Sequence, residues 1–103
     1  MDNEQIEFFN AIRSIKDSNL DILMSKVYSE IDLDKDQYFK LEELMKDLVV
    51  DVIADLMVLI DGYGQLSYKL DLINRETKSS IRNGIELHDK VMEFIYYNED
   101  TDK

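Results

Sequence analysis

The chain has 103 residues, no cysteine and a net charge of −11 at neutral pH. Disulfides, zinc–thiolate sites and thiol nucleophiles are therefore excluded. Nucleic acid and an anionic membrane surface would be repelled by such a charge, whereas a basic protein or a metal cation would be attracted.

At this length a single domain over residues 1–103 is expected. Hydrophobic residues make up 45% of the chain, enough for a core, and the absence of proline with only three glycines suits helices. Met1-Asp2-Asn3-Glu4 shows no basic start leading into an apolar run, so no signal peptide is expected. The longest apolar patch, residues 48–60, is interrupted by Asp51 and Asp55, which is too short and too charged for a membrane span. A cytoplasmic location is expected.

Residues 3–16 read as a first helix. Asp2 caps it, with Gln5 three residues on as the reciprocal partner. Phe8, Phe9, Ile12 and Ile15 share one side. Lys16-Asp17-Ser18-Asn19 predicts a break, after which Ser18 caps a second helix with Leu20, Leu23, Met24, Val27, Tyr28 and Ile31 on its apolar face. The aspartates at 32, 34 and 36 predict a loop, because their side chains compete for backbone groups.

A third, long helix is expected over residues 39–61. Leu41, Leu44, Met45, Leu48, Val49, Val52, Ile53, Leu56, Met57 and Ile60 hold one apolar face without a miss. Val50, Ala54, Val58 and Leu59 widen that face, so the helix is expected at the centre of the fold, buried on several sides. Gly62 is its expected stop.

The period then changes. Leu66, Tyr68, Leu70 and Leu72 alternate with Ser67, Lys69 and Asp71, which predicts a strand. With a turn at residues 74–78 and a return over 79–82, an antiparallel β-hairpin spanning about 66–82 is expected. Its edge would need cover, by a helix or by a second copy of the chain in a homodimer. Residues 85–97 read as a C-terminal helix with Leu87, Val91, Phe94 and Ile95 inward, followed by a polar, frayed tail over 98–103. The expected fold class is α+β, mostly helical, packed around the 39–61 helix.

Residues 32–43 carry the sharpest motif. Asp32, Asp34 and Asp36 stand at positions one, three and five, Tyr38 at seven, Phe39 at eight and Glu43 at twelve. This resembles the calcium loop of an EF-hand. The resemblance implies a Ca²⁺ site with Asp32, Asp34, Asp36 and Glu43 as carboxylate ligands and Tyr38 offering its carbonyl. Gln37 replaces the glycine of position six, and Lys40 stands at position nine where an oxygen belongs. EF-hands pair, and residues 59–70, with Asp61, Gly64 and Ser67, offer a degenerate second loop. The alternative fold is accordingly an all-α EF-hand-like pair.

Glu43, Asp47, Asp51 and Asp55 form a four-residue-spaced carboxylate stripe, read either as a docking ridge for a basic partner or as the solvated face of an amphipathic helix. His88 is the sole histidine, and nothing at helical spacing completes a metal or general-base set around it. Ser79 and Ser80 lack a nucleophile-elbow context. The size, the acidity and the strand-turn-helix ending resemble, in general character, small bacterial immunity or inhibitor proteins, which use acidic surfaces to neutralise basic toxins. The expected function is a small acidic protein–protein interaction module without catalysis. The alternative is Ca²⁺ binding through the 32–43 loop.

Overall fold

The computed structural model describes residues 1–96. Tyr97 and the tail expected to fray lie outside them. Three helices make up the described chain: α1 (Asn3–Glu30), α2 (Lys35–Ile60) and α3 (Leu87–Ile95). Among the described residues no strand forms, so the α+β expectation is overturned and the fold is all-helical.

The start of α1 follows its local signals. Asp2 accepts a hydrogen bond from the Gln5 backbone at 2.9 Å, and the Gln5 side chain accepts one from the Asp2 backbone at 3.0 Å. The expected break at residues 16–19 does not occur, and α1 runs on unbroken. No glycine or proline forces a stop there. The Asn19 amide donates to the Ile15 carbonyl one turn back, so this polar residue is absorbed by the helix. Lys16 is buried to 2% exposure because it serves another helix: its ammonium donates to the carbonyl of Ile95 at 2.9 Å, at the C-terminal end of α3.

α2 begins four residues earlier than expected. Asp34 accepts from the Gln37 backbone at 2.8 Å and Gln37 returns a bond to the Asp34 backbone at 3.1 Å, a second capping box. Its end is set by Gly62 at φ +91°. Gly62 N–H donates to Leu59 and Tyr63 N–H to Val58, the paired bonds of a Schellman stop. A side chain at Gly62 would run into Lys69 Cγ and stand 3.0 Å from Lys69 Cα, so only glycine fits.

Residues 61–86 are irregular. The alternation at 66–72 does not mark one buried face: Leu66 and Leu72 are half-buried, whereas Tyr68 and Leu70 are exposed. Only Ile73 and Ser80 pair in an antiparallel bridge. Leu70 N–H instead donates to the Ile60 carbonyl, and Leu72 N–H is taken by the Asp71 carboxylate. These two N–H groups find partners outside any ladder, and the hairpin edge offered as a homodimer seam does not form. The buried Gln5 amide holds the far side of this segment, donating to the carbonyls of Ile81 and Asn83.

The core sits at one end. Phe9 from α1, Val50 and Met57 from α2, Ile81 from the irregular segment and Leu87, Val91 and Ile95 from α3 form one buried cluster. Phe9 stacks on Phe94 with ring centroids 5.3 Å apart. At 1.5 Å per residue α1 and α2 are each about 40 Å long and α3 only about 13 Å. α3 thus covers one end of the α1–α2 pair, and the other end projects as a bare two-helix arm. The radius of gyration is 16.1 Å, against about 13 Å for a compact chain of this size. Tyr28 and Ile31, expected to face inward, are accordingly exposed; Ile15 is exposed as well, beside Lys16, which takes the side of α1 that meets α3. None of the described helices is long and apolar enough to cross a membrane.

Candidate functional site

The outward face of α2 is the first of two places where the fold concentrates chemistry. α2 was expected to be central and buried on several sides; its buried residues are Val50 and Met57 alone. Leu44, Leu48, Val52 and Leu56 are 52%, 56%, 51% and 49% exposed. They recur every four residues and so form one row, about 18 Å long from end to end. Half-buried Leu41, Met45 and Val49 continue this row toward the core. On its other side stand Glu43, Asp47, Asp51 and Asp55, all exposed. The predicted carboxylate stripe is therefore real as a surface feature and edges an uncovered apolar band.

Isolated exposed apolar side chains are ordinary, but a contiguous row on one helix is not. Covering it would remove apolar surface from water at roughly 25 cal/mol per Å². The carboxylates beside it set the sign of any charged cover.

The second place is a polar centre at the base, built on Asp61. Asp61 ends α2 and is fully buried. One carboxylate oxygen accepts from Arg82 Nε at 3.1 Å. The other accepts from the His88 backbone at 2.9 Å and lies 2.6 Å from His88 Nδ1. A carboxylate only accepts, so the proton of that bond sits on Nδ1. Burial pushes the Asp61 carboxyl up, but donors from the His88 backbone and ring, Leu87 and Arg82 more than offset it, and the net shift is below the ordinary 3.8.

Arg82 extends the network, donating to the Leu70 carbonyl at 2.7 Å and approaching Glu86 at 3.5 Å. Tyr63 donates its hydroxyl to Glu86 at 3.1 Å, and its ring meets His88 edge-on. That hydrogen bond to Glu86, with the carboxylate's charge, pushes the Tyr63 hydroxyl above 10.0. His88 Nε2 lies 3.4 Å from Asp89. Thus α2, the irregular segment and the start of α3 are tied through one buried carboxylate.

Asp61, Glu86 and His88 each bring a ligand-type atom within 4.8 Å of the others, the only such group among the described residues that could hold a metal. Arg82 already supplies positive charge at both carboxylates, so a divalent cation would have to displace its guanidinium. The arrangement is a clamp in its present form.

The EF-hand-like set is not drawn together. Asp32 lies in the turn, Asp34 uses a carboxylate oxygen to cap α2, Asp36 is in the first helical turn, and Tyr38 and Glu43 follow on the helix. Asp34 and Glu43 are separated by about 13 Å of helix rise. Gln37, which departs from the calcium-loop pattern, is the reciprocal capping residue. Asp32, Asp34, Tyr38 and Phe39 do line a surface cavity of about 500 Å³ with Tyr28, at the tip of the arm.

Sequence reasoning missed Asp61 and Arg82 as partners of His88, because the three lie 6 to 27 residues apart with no shared periodicity. One signal was available: a carboxylate directly after the most apolar stretch of the chain has to be satisfied by something. Comparison with protein-family models, with curated proteins and with solved structures finds no match to this chain.

Proposed function

We propose that the protein is a small acidic interaction module, without catalysis of its own, that docks a basic protein partner along the outer face of α2. The observation that carries this is the exposed row Leu44, Leu48, Val52 and Leu56 edged by Glu43, Asp47, Asp51 and Asp55. The apolar row supplies affinity through burial, and the carboxylates supply steering and sign selection. The net charge of −11 extends the same preference over the whole molecule. Size and acidity keep the likeness to immunity or inhibitor proteins that neutralise basic toxins; the strand of the strand-turn-helix ending is no longer part of it. A cytoplasmic site of action accords with this role.

Affinity capture with two baits tests the proposal: the parent chain and a variant carrying Glu43→Gln, Asp47→Asn, Asp51→Asn and Asp55→Asn. A basic partner held by the parent, released by salt and absent from the variant is the expected result. Equal capture of neutral partners by both baits, insensitive to salt, would sink it.

A further inference from the structure

The apolar row on α2 does not simply stop; it runs into a cavity. Val52 and Leu56, the last two members of the row, line it together with Val58 and Leu59. Asp55 stands at its side, and Gly64 and Gln65 close it from the turn after α2. Its volume is about 450 Å³. At Gly64 no side chain enters the cavity, and an added Cβ would stand 3.9 Å from Val58.

We propose that this cavity is the anchor socket of the α2 face, and that its occupant is a bulky aliphatic or aromatic side chain on a basic amphipathic helix laid along the row. This rests on the basic-partner reading above and specifies it. Three features select the occupant. The walls are mainly apolar, so a polar anchor would lose its water without replacement. Asp55 borders the cavity, so a Lys or Arg about one turn from the anchor finds a counter-charge. A row of side chains every four residues is the ridge that a second helix packs beside, and an amphipathic helix presents its anchors at matching spacing.

A second copy of this chain would cover the row as well in shape, but not in sign. It would bring another −11 and an identical carboxylate stripe against the first. Binding energy in such interfaces concentrates where a large side chain fills a desolvated pocket, which places the dominant contact at Leu56 and not at the open end near Leu44.

The test is calorimetric titration of the full chain with a 16-residue amidated Leu/Lys amphipathic peptide, with a Leu/Glu peptide of the same apolar face as control. Parent, Leu44→Asp and Leu56→Asp are compared after circular dichroism shows all three folded. Both substitutions add the same charge at residues of similar exposure. The expected result is binding of the Leu/Lys peptide only, with Leu56→Asp weakening it at least about tenfold more than Leu44→Asp. Equal weakening by the two would overturn the socket and leave the docking face standing. No binding of the Leu/Lys peptide, or equal binding of the Leu/Glu peptide, would overturn the docking face itself. A dimer of the parent in sedimentation equilibrium, dissociated by Leu56→Asp, would overturn the choice of partner in favour of a second copy.

Discussion

The two ends of the α1–α2 pair are made of the same kind of helix, yet they are stabilised differently. At the base, α3 and the 61–86 segment close over the pair and bury Phe9, Val50, Met57, Ile81, Leu87, Val91 and Ile95. Along the arm only Met24 and Val27 are buried, and the tip is held by capping and by the edge-on contact of Tyr28 with Tyr38. Amphipathic periodicity is therefore no guide to burial by itself. It makes a face available, and a third element of sufficient length has to cover it.

Truncation separates the two ends most sharply. Phe9→Ala should cost about 3–5 kcal/mol, because Phe9 has no solvent on any side and its stacking on Phe94 is lost with it. Met24→Ala should cost about 2 kcal/mol or less, since the thin arm can collapse onto the space. Urea denaturation followed by circular dichroism reads both; equal losses would break the distinction between base and arm.

Asp61→Asn comes next. It leaves Arg82 and His88 facing a neutral amide in a buried site, and should cost about 3 kcal/mol. The same carboxyl gives the base an acid sensitivity. Its folded-state pKa lies below its ordinary 3.8, so its contribution is present at neutral pH and is lost as the pH falls through and below that range. Thermal melts from neutral pH down to pH 3 should show the parent losing more stability than Asp61→Asn over that interval. Parallel curves would remove Asp61 as the cause.

On the open face of α2 the stability effect should nearly vanish. Leu48→Ser should shift stability by no more than about 0.5 kcal/mol, as expected for a surface position, while weakening any partner that covers the row. A large loss of stability would mean that Leu48 is packed in solution. The smallest effect is expected at the tip. Calcium at millimolar concentration should give no heat with the parent chain, and Asp32→Ala and Glu43→Ala should be indistinguishable from it, because Asp34 is engaged as a helix cap and Glu43 lies more than two turns away. Saturable binding lost in both variants would restore the calcium-loop interpretation.

Local signals in the chain determined a good part of this molecule. The Asp2–Gln5 capping box, the long apolar pattern of α2, its stop at Gly62 and the inward face of α3 at Leu87, Val91 and Ile95 were all readable, because each depends on neighbours within one or two turns. Only the tertiary structure decided that Lys16 continues α1 in order to cap α3, that residues 66–72 form no strand, and that Asp61, Arg82 and His88 meet. It also decided which part of α2 stays open. Those outcomes depend on which distant groups arrive and how far a third helix reaches, and α3 is too short to cover more than one end.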